Sequence, residues 1–552
     1  MSFLEVIFQH LQESAERPLL QELRGETCSA VSGFELRSLI QSARDSLRKA
    51  GLRKGDHVAL LAPNSIRWAA VDLGIIAEGA IVVPLYSRQA PVELAAMMRD
   101  AAVSLVICET SALLKPIHEA WPEMPHALMM DEVLPGTRRS QRELEPAASL
   151  SEDDVVAIIY TSGTSGEPKG VMLTSGNLSF VLARTTSQLD LLMEAVNETE
   201  KVFHYLPFCF AASWLLMLSC LSRDSLLSLS TNLNQLSDEM RIAEPHYFLN
   251  VPVLLERIRA KIEGQLDERG RLIAGLFRGA QRAWIVQGQP GGKASFSDRV
   301  ALALAKSLVF PTIRRKLGWN LKALICGSAP LAEPTQQFFM MLGLPVLQVY
   351  GLTETTAICT MDHPGRIEAG AVGLAIEGVE MKLGEQNEIQ VRGPNIFKGY
   401  WNRSEATAAT MRDGWFHTGD QGEIDAAGHW RITGRIKNLI VPASGHNIAA
   451  EPIEEKVRHT VPGAQHVMVI GNGRSFLAAI IAGDVHEDIV ETVLKTINAD
   501  LPHYKRVQAF VIAPEPFTSD NGLLTVNGKL KRDAIAARYA REIEALYRKQ
   551  TA

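Results

Sequence analysis

The sequence predicts an α/β protein: a large N-terminal domain of layered α/β subdomains followed by a small α+β C-terminal domain. Three observations carry this. Through the first third of the chain, short β-rich runs alternate with helical patterns, the signature of parallel strands joined by crossover helices. Further runs at 155–161, 321–326 and 346–350 read as buried strands, and each leads directly into a polar or Gly-containing turn. After about Gly434 the pattern changes to short strands and amphipathic helices that form a separate, lid-sized unit. With 552 residues, 46% apolar and 21% charged, the chain holds enough material for several core-forming units. Disorder and a disulfide mini-scaffold are thereby excluded.

The opening MSFLEVIFQHLQESAERPLL has neither a basic leader region nor a small-residue cleavage site, and reads as an amphipathic helix. Strand runs at 57–62, 80–85 and 103–108 alternate with helical runs at 66–78 and 91–101. Pro91 suits a helix's first turn, and Val92, Leu94, Ala95 and Met98 follow at helical spacing. The C-terminal unit reads as helix 451–458, strands 467–470 and 477–481, helix 485–498, strand 507–512 and a charged helix from 530 onward. The domains are therefore set at 1–434 and 435–552.

With 56 basic against 62 acidic residues, a net charge of −6, the chain has no global field to gather nucleic acid. The six cysteines show neither a CxxC pair nor zinc-ligand spacing and read as buried thiols in a reducing compartment. The most apolar stretches, 71–86 and 211–221, are short or interrupted by Asp72, Glu78 and Pro84, below the roughly 20 residues a spanning helix needs. The expected location is cytoplasmic. Residues 269–315 mix Lys and Arg with apolar residues; a solvated charged face is the favoured reading, with weak peripheral contact to the inner face of an anionic membrane as the other. HExxH, GxGxxG and GxSxG are all absent from the chain, which removes zincin, dinucleotide-fold and serine-hydrolase chemistries.

Chemistry concentrates at TSGTSGEPKG, residues 161–170, where four hydroxyls, three glycines and one lysine follow a strand. Glycines let backbone N–H groups close around an anion, hydroxyls add donors, and Lys169 adds charge. Phosphate is the natural guest, yet this is no Walker A loop, since Glu167 and Pro168 separate Gly166 from Lys169. All ten positions match the signature of the acyl-adenylate-forming superfamily, which this sequence therefore resembles. Its other motifs follow in order: Gly327, Ser328, Ala329 and Pro330; YGLTE at 350–354; WFHTGD at 415–420; GRIK at 434–437; and NGK at 527–529.

The resemblance implies ATP and Mg2+, with coenzyme A as co-substrate. Thr161, Ser162, Gly163, Thr164, Ser165, Gly166 and Lys169 would hold phosphates; Gly327 to Pro330, with the Tyr350 face and Gly351, would hold adenine; Thr353 would face the α-phosphate and Glu354 the metal. Asp420, with Arg435 beside it, would anchor the ribose diol, since a carboxylate accepts two hydrogen bonds in fork geometry. Lys529, Thr161 and Glu354 are the expected catalytic groups, and Lys437 the hinge about which the C-terminal domain moves between half-reactions. Ser444, Gly445 and His446 would meet the acceptor thiol.

Segments 245–258, 308–331, 441–449 and 521–525 resemble the long-chain fatty acyl-CoA synthetases among these enzymes. One departure stands out. Where those members carry Leu-Pro-x-x-His, this chain has Phe210, followed by Ala211 rather than the Asp that binds an amine in amino-acid-activating relatives. Phe210, Ala211 and Trp214 are expected at the acid site, although a core tryptophan is the favoured reading of Trp214. The function expected is fatty acid:CoA ligation. The rivals are transfer to an acyl carrier protein, which presents the same thiol, and a catalytically silent homologue, against which the intact Glu354, Asp420, Arg435 and Lys529 argue.

Overall fold

The structure, a computed structural model, describes the whole chain except residues 26, 136–142, 163–167, 195, 197, 233, 289–290, 444–445, 447, 526–527 and 550–552, and the side chains of 162 and 549. The α/β reading holds. Strands His57–Leu61, Ile81–Pro84 and Leu105–Cys108 are parallel neighbours, and helices Ile66–Ala77 and Pro91–Asp100 cross between them. The first helix starts where the Ser65 side chain accepts the Trp68 N–H, and it stops before Gly79, whose φ of 74° no L side chain adopts cheaply.

These strands belong to a seven-stranded sheet that continues through Val155–Ser162 and Pro168–Thr174 to an edge at Gly399–Tyr400. A nine-stranded sheet places Val346–Tyr350, Leu324–Cys326, Tyr247–Asn250, Glu200–His204 and Ser225–Ser230 side by side, all parallel. A third, antiparallel sheet carries Trp415–Ile424 and Trp430–Arg435. All three sheets bury side chains in one apolar cluster that includes Trp68, Trp214 and Phe416. Between Tyr247–Asn250 and Leu324–Cys326 the chain inserts four helices, Pro252–Glu268, Arg271–Gly288, Phe296–Leu308 and Phe310–Leu317, which pack around Phe277, Phe310 and Phe338.

The smaller C-terminal domain has its own core. Strands Ala464–Ile470, Leu477–Gly483 and Val507–Ile512 form a three-stranded sheet against helices Glu451–Thr460 and Glu487–Ala499, burying Ile453, Leu477, Ile481 and Leu494. Five of the six cysteines are buried and Cys28 is exposed. Among the described residues, no helix is long and apolar enough to cross a membrane.

Candidate active site

The strands that flank the phosphate-loop motif pair with each other as a hairpin. Val155–Ser162 and Pro168–Thr174 pair antiparallel with Thr161 opposite Lys169, so the two side chains leave the same face at the root of the loop. Gly163, Thr164, Ser165 and Gly166 lie outside the described residues, as does the Ser162 side chain. The next strand, Gly399–Tyr400, pairs with this hairpin and seats the Tyr400 ring 5.1 Å from Lys169 Nζ. The Tyr400 hydroxyl donates to Glu354 Oε1 at 2.7 Å. Burial, and then the Glu354 carboxylate, push the Tyr400 phenol above its ordinary range, so the proton stays on the donor. Sequence reasoning missed Tyr400; its one visible signal is an aromatic pair after Gly399.

Glu354 sits in a tight turn at the carboxyl end of Val346–Tyr350. The 3-10 turn Thr353–Thr355 runs into Thr356 and Ala357, consecutive non-glycine residues with φ of 50° and 75°. Each costs on the order of 1–3 kcal/mol, strain that concentrates where a site over-determines its backbone. Gly351 is required here: a Cβ would stand 2.2 Å from the Ala357 carbonyl oxygen. On the neighbouring strand, Gly327 is buried while Ser328, with φ of 71°, Ala329 and Pro330 are exposed. Thr353 stands half-buried beside Glu354.

Asp420 and Arg435 face each other across two strands, with Arg435 Nε 2.8 Å from Asp420 Oδ1. The other carboxylate oxygen accepts from the Tyr350 hydroxyl at 2.9 Å. Tyr350 thus buries its ring in the core while its hydroxyl fixes the carboxylate. Burial pushes the Asp420 carboxyl above the ordinary range; Arg435, Tyr350 and Lys529 oppose the rise. Lys529 arrives from the C-terminal domain. It is solvent-accessible yet surrounded by protein, the situation of a group lining a cleft between domains. Those surroundings lower its pKa, Arg435 lowers it further, and Asp420 and Glu354 oppose both. Four predicted residues, Glu354, Asp420, Arg435 and Lys529, are therefore within electrostatic reach of one another.

Lys437 lies in the 3-10 turn Ile436–Asn438, directly after the strand that carries Arg435. His446 stacks on Tyr504 inside the C-terminal domain, with ring centroids 4.2 Å apart; Ser444 and Gly445 lie outside the described residues. The domains also touch through Glu256 of helix Pro252–Glu268. It receives Arg458 Nη1 at 2.8 Å and Nη2 at 3.1 Å, with His459 Nε2 3.2 Å away.

At the expected acid site, Phe210 precedes helix Ala211–Leu221 and lies 5.8 Å, centroid to centroid, from the Tyr86 ring. Ala211 is buried and Trp214 wholly so. The indole N–H of Trp214 donates to Asp72 Oδ2 at 2.9 Å. Asp72 is fully buried, and that burial pushes its carboxyl up to about 7. His204 is fully buried and stacks on Phe208; burial pushes its imidazole down to about 4. Neither Asp72 nor His204 was foreseen as a polar group of this region.

The pattern of the AMP-binding enzyme family matches residues 8–401, and that of the AMP-binding enzyme C-terminal domain matches 437–551. A long-chain-fatty-acid–CoA ligase of Mycobacterium bovis is 26% identical over 99% of this chain and 97% of its own. A human long-chain-fatty-acid–CoA ligase is 30% identical over 80% of this chain and 65% of its own. Among solved structures, O-succinylbenzoate coenzyme A synthetase of Bacillus subtilis, in complex with ATP and magnesium ion, superposes with a TM-score of 0.72 at 20% identity, covering 96% of this chain and 98% of that one.

Proposed function

Because this chain belongs to the AMP-binding enzyme family of adenylate-forming acid–CoA ligases, we propose that it ligates long-chain fatty acids to coenzyme A through an acyl-adenylate. The observation that carries the reading is the convergence of Lys529, Arg435, Asp420 and Glu354 on one cleft from both domains. In the first step a fatty carboxylate oxygen bonds to the α-phosphorus of ATP and the bond to the β-phosphate oxygen breaks, releasing pyrophosphate. Two anions meet, so cations and donors are needed where charge develops. Lys529 supplies a mobile positive charge there, Lys169 and the Thr161 loop hold the departing phosphates, and Asp420 with Arg435 fixes the ribose.

Mg2+ suits the donor set. A small hard cation takes one or two carboxylates together with phosphate oxygens, and Glu354 is a single carboxylate already oriented by Tyr400. When bound, it neutralises phosphate charge. In the second step the coenzyme A thiol gives up its proton to solvent, its sulfur bonds to the acyl carbon, and the bond from that carbon to the phosphate oxygen breaks, releasing AMP. Lys529 and the thiol need the same space, so the domain after residue 434 turns about Lys437 and brings the loop of Ser444, Gly445 and His446 to the acceptor. The apolar lining near Phe210 and Ala211 suits an alkyl tail, whose burial contributes about 0.8 kcal/mol per methylene.

The test is a panel of long-chain, medium-chain, acetic and amino acids, scored for conversion of ATP to AMP with coenzyme A and, separately, with an acyl carrier protein. Long-chain acids with coenzyme A should dominate. Turnover confined to acetate or amino acids would end the substrate assignment, and turnover confined to the carrier protein would reassign the acceptor.

A further inference from the structure

The chain is acidic overall, at −6, yet residues 269–322 contain eleven Lys and Arg and a single acid, Asp298. That segment carries +10 against −16 for the rest of the chain. It forms the last three of the four helices inserted between Tyr247–Asn250 and Leu324–Cys326. Little of the charge is answered internally. Arg282 pairs with Asp298 and Arg278 with Asp267; among the described residues the other nine make no ion pair.

The same segment exposes large apolar side chains. Helix Phe296–Leu308 sets Phe296, Val300, Leu304 and Leu308 at four-residue spacing, 75%, 41%, 45% and 66% exposed, so they form one continuous stripe. Leu302 and Ala305 on the opposite side are buried and fasten the helix to the protein. Arg299 and Lys306 run along one edge of the stripe, each against an aromatic ring, Phe296 and Trp284 respectively. Elsewhere in the segment, Leu272 is 90% exposed and Trp319, just beyond the last helix, 66% exposed.

We propose that this face docks the enzyme on a bilayer containing anionic phospholipid. An apolar stripe bordered by cations is the arrangement that lies in a headgroup region, apolar residues entering the acyl boundary and cations meeting phosphate. Charge selects among the occupants. A second copy meeting this face with the same face would set +10 against +10, and a nucleic acid would leave Phe296, Leu304 and Leu308 in water. The inference stands on this surface alone, independently of the reaction proposed above.

Flotation of the full chain with vesicles tests it, using phosphatidylcholine alone and phosphatidylcholine mixed with phosphatidylglycerol, at low and high salt. The chain should float with the anionic vesicles and be released as salt rises. Arg299→Glu with Lys306→Glu should weaken this binding about tenfold or more. Phe296→Ser with Leu304→Ser should weaken it as well, including the part that survives salt. All four positions are exposed, so melting curves should match the parent, and the charge pair serves as the second probe if the apolar pair melts early. Absence of binding to anionic vesicles, binding by both double variants equal to the parent's, or self-association in sedimentation velocity that only the apolar variant abolishes would each overturn the proposal.

Discussion

The two ends of the candidate site treat charge in opposite ways. At the nucleotide end the carboxylates wait with partners, Asp420 with Arg435 and Tyr350 and Glu354 with Tyr400, and Lys529 stands within reach of both. At the acid end Asp72 and His204 are fully buried, and burial drives each toward its neutral form, Asp72 upward and His204 downward. The guests proposed for the two ends account for the difference. A site that receives phosphates keeps charges in place and holds them with hydrogen bonds, because reorganising them during reaction would raise the barrier. A site that receives a hydrocarbon tail lowers its cost by discharging whatever polar groups it retains.

The largest test breaks the nucleotide end. Lys529→Ala should lower acid-dependent exchange of pyrophosphate into ATP by about 10²–10³-fold, as loss of a transition-state donor does. Conversion of preformed acyl-adenylate to thioester should survive. Exchange at the parental rate would mean that Lys529 is a bystander. Next comes Tyr400→Phe, which keeps the ring against Lys169 and removes only the donor to Glu354. About a tenfold loss of exchange is expected, the scale of outer-shell partners to a metal ligand, with a raised Mg2+ requirement. An unchanged Mg2+ titration would show that Glu354 does not depend on Tyr400.

These two residues also mark the limit of sequence reading. Lys529 was legible because it sits in a contiguous motif whose order along the chain could be checked, and the α/β class was legible because strand and helix periods alternate. Tyr400 was not, because its partner Glu354 is 46 residues away. Asp72 was harder still: Trp214 is 142 residues distant, and a lone acid in an apolar helix signals only an interruption. The hairpin pairing of the strands that flank the phosphate loop escaped for a related reason. A Gly-rich run after a strand fits a helix or a returning strand equally well until pairing fixes it.

A smaller effect extends the pairing rule to the contact between the domains. Glu256→Gln removes the charge that receives Arg458 and His459. Roughly 1 kcal/mol from a half-buried ion pair would shift the domain equilibrium about fivefold. Exchange should fall by that factor while thioester formation from preformed adenylate holds or rises. Glu256→Arg combined with Arg458→Glu should restore the balance. Equal loss in both half-reactions would make Glu256 a folding residue instead.

The last test reaches the acid end through stability rather than rate. Asp72 has a native pKa of about 7 against about 3.9 in an unfolded chain. Between these values the native protein holds a proton that the unfolded chain has given up, so stability should fall as pH rises from about 4 to about 7 and stay level above that. Asp72→Asn keeps an acceptor for the Trp214 indole and never ionises, so it escapes this decline. The decline amounts to about 4 kcal/mol at most, and the new amide hydrogens, buried without an acceptor, return about 1–3 kcal/mol of it. The variant should therefore melt below the parent near pH 5 and above it near pH 8. Parallel melting curves across that range would show that Asp72 is ionised in the folded protein, and the contrast between the two ends of the site would fail.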